Sequence, residues 1–206
     1  KLSDEQIQLR DWVHDFAADV IRPVAEEWDE KEEFPYPVVQ QAAEIGLYGW
    51  EFMANGMMGD PTGLTMPLAI EELFWGDAGI GMAIMGTGLA AAGIAASGTP
   101  EQLMEWVPQC YGDEKDLKLG AFAASEPDAG SDVAGYRTRA VYDEATDEWV
   151  LNGTKAWITN GGIADIHVVV GVVDPELRAK GHASFIVPPG TKGLSQGQKY
   201  KKHGIR

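Results

Sequence analysis

The hydrophobic period of this chain changes once. Up to about residue 116 apolar residues recur every three or four positions, the spacing of a buried helix face. Beyond that point they come in short β-rich runs broken by turn residues. A single switch of this kind excludes alternating βα units and predicts a helical layer followed by a β layer. The expected fold class is therefore α+β: an all-α helical domain over residues 1–116, then a small antiparallel β-sheet or barrel domain over residues 117–206. The polar, acidic stretch 112–116 is the expected boundary.

Within the first part, Ser3 followed by Gln6 forms a capping box, and Leu9, Val13, Phe16 and Val20 continue one apolar stripe from it. Pro23 removes a backbone donor and should kink or interrupt this helix before Trp28. A second, shorter helix is expected over 38–47. The glycine- and proline-punctuated stretch 49–63 reads as a loop, and 64–77 as a further helix. Thr99, Pro100 and Gln102 supply an N-cap, an N1 proline and a capping-box glutamine for a helix reaching about Tyr111. In the second part, strands are expected over 117–124, 139–142, 149–151, 167–173 and 184–187, with Asn152-Gly153 as a tight hairpin turn. The last residues, from Lys199 to Arg206, read as strand-like without a closing element, so the β domain looks interrupted there.

Composition narrows the function classes. Sixteen Lys and Arg against 32 Asp and Glu give a net charge of −16, which repels nucleic-acid phosphates and anionic membrane surfaces. One cysteine, Cys110, allows neither an internal disulfide nor a multi-cysteine metal site, and fits a reducing compartment such as the cytoplasm. The four histidines, at 14, 167, 182 and 203, lack metal-ligand spacing, so no metal site is expected. Residues 78–100 are uncharged and long enough for a membrane span, but rich in Gly and Ala. A buried helix is the expected reading. Gly86-Thr87-Gly88-Leu89-Ala90-Ala91 matches the G-x-G-x-x-A dinucleotide fingerprint, which carries weight only between a strand and a helix, and no strand is expected before it.

Two segments stand out for chemistry. Phe122 to Ser131 leaves an apolar run and turns through Pro127 and Gly130, offering backbone amides for an anion together with the hydroxyls of Ser125 and Ser131. Trp157, Ile158, Thr159, Asn160, Gly161 and Gly162 follow about 25 residues later; here Trp157 can cover a ring whose edge Thr159 can hydrogen-bond. The alternative for each is a β-turn with a core tryptophan and capping hydroxyls. Two such segments around one hairpin favour a planar, phosphate-bearing ligand. Ser131 does not sit in a hydrolase elbow. Glu126, the one acid within the central loop, serves equally well as an ion-pairing or capping residue and as a proton-transfer group.

The same segments carry a resemblance. Ala123-Ala124-Ser125-Glu126-Pro127-Asp128-Ala129-Gly130-Ser131-Asp132-Val133-Ala134-Gly135 resembles the acyl-CoA dehydrogenase signature. Asn152-Gly153-Thr154-Lys155-Ala156-Trp157-Ile158-Thr159-Asn160-Gly161-Gly162 is similar to that family's second flavin segment, in the same order and at the same spacing. Ala124 departs from the family, which more often has a larger aliphatic residue there, and should loosen packing against the flavin.

The resemblance implies an N-terminal helical domain, a middle β domain and a C-terminal four-helix domain, the last without a counterpart in this sequence. It implies FAD bound by Phe122, Ala124, Ser125, Gly130, Ser131, Trp157, Ile158 and Thr159. It further implies an acyl-CoA substrate touching Ser131, with Gly81, Met82, Met85 and Leu89 along the acyl tail. The implied reaction is α,β-dehydrogenation to a trans-2-enoyl-CoA, as in fatty-acid β-oxidation, with an electron-transfer flavoprotein as acceptor and a homotetramer or homodimer as assembly. No catalytic residue is assigned, because the family's catalytic glutamate belongs to the C-terminal domain. An acyl-CoA oxidase or flavin monooxygenase of the same fold, and a non-catalytic partner subunit, are the alternatives.

Overall fold

The computed structural model describes residues 1–205, and at residue 57 the backbone alone. It divides into two compact units. The first comprises residues 1–88 and 111–117 with the residues from Gln198 on; the second comprises Leu89–Cys110 and Lys118–Gly197. The helical residues 89–110 thus belong to the unit that holds the sheet.

The first unit is built from α1 (Asp4–Phe16), α2 (Ala25–Lys31), α3 (Tyr36–Glu44), α4 (Trp50–Met58), α5 (Thr65–Gly76) and α6 (Ala78–Met85). The capping box is present: Gln6 N–H donates to the Ser3 hydroxyl at 3.2 Å, and Ser3 N–H to Gln6 Oε1 at 3.0 Å. The helix path of α1 continues through a π-helical segment, Ala17–Ile21, and a 3₁₀ turn, Arg22–Val24, before α2. Pro23, which has no N–H to give, lies in that turn. Val13, Ala17, Ile21, Val39, Leu73 and Ile84 form a fully buried core in which α1 and the π segment lie along α5, and α5 along α6.

Residues 50–58 form a helix where the sequence suggests a loop. The glycine responsible for that expectation, Gly56, is a contact residue: the Met66 thioether occupies the space where a Cβ would stand. Trp50, Glu51, Phe52, Met53 and Ala54 keep the helix going.

The second unit holds most of α7 (Thr87–Ala95) and α8 (Pro100–Tyr111), with strands β1 (Gly120–Ala123), β2 (Arg139–Asp143), β3 (Glu148–Asn152), β4 (Ile166–Val172) and β5 (His182–Val187). Helix α8 starts with the Thr99–Gln102 capping box, Thr99 N–H donating to Gln102 Oε1 at 2.9 Å. The sheet is mixed, not antiparallel. β4 pairs with β5 antiparallel on one edge; on the other it pairs in parallel with β1 and, at Val172, with Arg139 of β2. Short β-rich runs do not reveal strand direction, because either pairing buries them equally well. On the face carrying Phe122 and Val168, both side chains lie against Gly93 of α7. A Cβ on that glycine would stand 2.9 Å from the Phe122 ring.

The β2–β3 hairpin turns at residues 144–147, with Asp147 in the left-handed region, and not at Asn152-Gly153. Gly153 instead packs on Thr138 just beyond β3, and an aspartate tolerates the left-handed conformation that the turn requires. Among the described residues no helix or strand follows Val187, so the strand-like reading of the last residues is corrected as well.

Ala78–Ala95 is long and apolar enough to cross a membrane by composition. Here it is two helices, α6 and α7, meeting at Gly86, with Ile80, Ala83 and Ile84 buried in α6 and Ala90, Ala91 and Ile94 in α7. The G-x-G-x-x-A run lies at the start of α7 and follows a helix, which removes the strand-to-helix context a dinucleotide fingerprint needs.

Leu73 is fully buried, so Leu73→Ala should cost about 2–5 kcal/mol in urea denaturation, and Leu73→Met less than about 1.5 kcal/mol.

Candidate functional site

The two sequence segments lie side by side within the second unit. β1 ends at Ala123 and the chain turns tightly, Glu126 and Ala129 exchanging backbone hydrogen bonds of 2.8 and 3.2 Å with Pro127 and Asp128 at the tip. The segment following β3 runs back along β1. Ala156 N–H donates to the Ser125 carbonyl at 2.9 Å, and the Asn160 amide to the Gly120 carbonyl at 3.1 Å. His167 of β4 adds a contact from Nε2 to the Gly161 carbonyl at 2.9 Å; a carbonyl only accepts, so Nε2 is the protonated nitrogen.

A buried ion pair holds these segments together. The Glu126 carboxylate accepts from Arg137 N–H at 2.7 Å, Thr138 N–H at 2.9 Å and Lys155 Nζ at 2.8 Å. Lys155 also donates to the Ala124 carbonyl at 2.8 Å and lies 4.5 Å from the centre of the Tyr136 ring. Burial alone raises the carboxyl pKa, but the hydrogen bonds from Lys155, Thr138 and Arg137 outweigh it and hold Glu126 at about 2. Lys155 is lowered, because burial outweighs the attraction of Glu126. The two shifts point opposite ways for the stability of the pair. The two backbone donors on Glu126 make its stabilisation the firmer of the two.

The predicted site residues of the two segments differ in exposure. Ser125 and Thr159 are half-buried, Gly130 and Ser131 are exposed, and Ile158 is half-buried between Trp157 and Thr159. No hydrogen bond engages the Ser125, Ser131 or Thr159 hydroxyl among the described residues. Trp157 is 63% exposed and held at φ +63°, a conformation that costs a bulky residue about 1–3 kcal/mol. It is therefore not a core tryptophan. Ala124 contributes a carbonyl turned toward Lys155. Phe122 is different, since its ring packs on Gly93 of α7.

Gly81, Met82 and Met85 lie on α6, in the first unit. Gly81 is buried where a Cβ would stand 2.7 Å from the Phe74 ring, and the two methionines are half-buried. Leu89, on α7, is 54% exposed and belongs to the second unit. Among the described residues no cluster of three or more His, Cys, Asp or Glu side chains could hold a metal ion, and burial pushes the Cys110 thiol up to about 12.

Sequence reasoning singled out Glu126 but missed Lys155, Asn160 and His167 as the groups that fix the site. Lys155 is 29 residues from Glu126, and no local pattern pairs them. The available signal was a lone lysine two residues before a tryptophan in a segment otherwise free of charge.

Comparison with known proteins assigns the arrangement. The acyl-CoA dehydrogenase N-terminal domain model matches residues 3–114 and the middle domain model matches residues 121–206. The chain belongs to the acyl-CoA dehydrogenase family. It is 37% identical to the short-chain specific acyl-CoA dehydrogenase of Clostridium acetobutylicum over 210 residues, covering 100% of this chain and 53% of that protein. The butyryl-CoA dehydrogenase of Megasphaera elsdenii superposes with a TM-score of 0.83 at 34% identity, over 100% of this chain and 54% of that one. A glutaryl-CoA dehydrogenase of Mycobacterium smegmatis in complex with FADH2 gives 0.83 at 31% identity, over 99% and 50%. The chain thus spans about half the length of the relatives it matches.

Glu126 titrates near 2 in the fold against its usual 4.5, so its contribution is complete above pH ~4.5 and is lost as pH falls from there toward ~2. In urea denaturation across that window, the native protein should lose more stability than Glu126→Gln, which has no proton to take up.

Proposed function

We propose that this chain forms the FAD-binding part of an acyl-CoA dehydrogenase that converts an acyl-CoA thioester to its trans-2-enoyl-CoA. One observation carries the reading. The two motif segments are tied together at Ser125–Ala156 and Ala124–Lys155, and beside these ties the Ser125, Ser131 and Thr159 hydroxyls meet no partner among the described residues. A flavin suits these groups. Its ring carbonyls and nitrogens match the Ser125 and Thr159 hydroxyls, its flat ring system matches Trp157, and its pyrophosphate matches the open backbone at Gly130 and Ser131. When bound, FAD supplies an acceptor for the hydride that leaves the β-carbon.

The residues of this chain then have separate tasks. Ser125 and Thr159 hydrogen-bond the ring edge, Trp157 covers its face and shields it from water, and Ser131 reaches toward the thioester. Phe122, Ala124 and Ile158 frame the ring by backbone and packing. Gly81, Met82, Met85 and Leu89 are the candidates for the acyl tail. Glu126 is not the base that removes the α-proton: its carboxylate is committed to Lys155 and two backbone amides, and its low pKa makes it a poor proton acceptor. An electron-transfer flavoprotein as acceptor, a homotetramer or homodimer as assembly, and the cytoplasm as location complete the proposal.

The test is a visible spectrum of the native protein before and after anaerobic addition of butyryl-CoA, the acyl group in the name of a matched structure. A flavin band that bleaches supports the reading. A protein without flavin overturns it, and rapid reoxidation by air in place of transfer to an acceptor protein would assign an oxidase. Trp157→Ala should change the band of the bound flavin while the far-ultraviolet circular dichroism spectrum stays that of the native protein.

A further inference from the structure

The side chain of Lys155 is only 10% exposed, and its charge is directed at two acceptors, Glu126 Oε1 and the Ala124 carbonyl, both at 2.8 Å. The second bond has a geometric consequence. A trans peptide is planar, with its carbonyl and the following N–H on opposite edges. Holding the Ala124 carbonyl toward Lys155 therefore turns the Ser125 N–H away from it. The next carbonyl, of Ser125, is held by Ala156 N–H at 2.9 Å. Both peptide planes flanking Ser125 are fixed, while among the described residues neither its N–H nor its hydroxyl meets an acceptor. Glu126, anchored on the Arg137 and Thr138 amides, keeps the ammonium in place. A buried ion pair of this kind adds little stability over an apolar replacement, so its value lies in the geometry it imposes.

We propose that Lys155 is a positioning residue of the ligand site: through the Ala124 carbonyl it sets the peptide plane that presents the Ser125 N–H and hydroxyl to the flavin. This rests on the reading of the two segments as the flavin site.

Two variants of the native protein separate positioning from folding. Lys155→Met removes the donor to Ala124. Glu126→Gln weakens the pair but keeps an acceptor for Lys155 and leaves the Lys155–Ala124 bond. Both should lower the melting temperature. Measured well below it, Lys155→Met should weaken FAD binding by about tenfold, the worth of one hydrogen bond, and shift the visible band of the bound flavin. Glu126→Gln should weaken binding clearly less than Lys155→Met, by about threefold at most, because the Lys155–Ala124 bond remains. Native affinity and band in Lys155→Met, or equal losses in both variants, would overturn the proposal. Lys155→Arg, which keeps the charge but moves the donors, reads the same band shift should Lys155→Met not fold. If the native protein takes up no FAD, the flavin reading fails instead. Amide exchange in the ligand-free protein then decides the positioning role: Lys155→Met must speed exchange at Ala156, and unchanged exchange there would overturn it.

Discussion

The candidate site depends on one buried carboxylate. Glu126 sits where the chain leaves β1, and it gathers two backbone amides from the approach to β2 and an ammonium from the stretch after β3. Three pieces of chain that are separate in sequence thereby share a single acceptor. Without it the Arg137 and Thr138 amides would lose their acceptor and the Lys155 ammonium its counter-charge, and a charge removed from water is costly to leave uncompensated. The carboxylate satisfies all three, and this frees the neighbouring hydroxyls from any structural duty. The chemistry available to a ligand is what remains after Glu126 and Lys155 have used theirs.

The same division of labour appears across the sheet. On the face of β1 that meets α7, Phe122 and Val168 pack closely on Gly93. Beyond the end of β1, the chain exposes Ser125, Gly130 and Ser131 and places Trp157 in a conformation that a bulky side chain adopts at a cost. Packing on one side makes the loops on the other rigid enough to hold polar groups in fixed positions. His167 and Asn160 extend that rigidity along the returning segment by binding the Gly161 and Gly120 carbonyls. Segments held in one conformation by such bonds have little freedom left to lose on binding a ligand.

Much of this was legible in the chain. Capping boxes at Ser3 and Thr99 mark helix starts because side chains three residues apart complete each other's hydrogen bonds locally. The two motif segments could be named, and so could the hydroxyls and the tryptophan in them. The errors share a cause. Gly56 looked like a loop residue and is a helix contact with Met66; Asn152-Gly153 looked like a hairpin turn and packs on Thr138. A glycine in a sequence states that space or backbone freedom is needed, but not which of the two. Strand direction was likewise invisible, since the parallel partner of β1 lies more than forty residues on.

The sequence alone therefore determined the order of a helical layer and a β layer, the capped helix starts at Ser3 and Thr99, and the two motif segments on which the candidate site is built. All of these depend on periodicity, or on hydrogen bonds that close within a few residues. Tertiary structure decided that the sheet is mixed, that residues 89–110 belong with it, that Trp157 is exposed, and that Lys155 pairs with Glu126 across 29 positions. These depend on which distant surfaces meet. A buried charge is stable only beside a partner that the fold itself brings within reach.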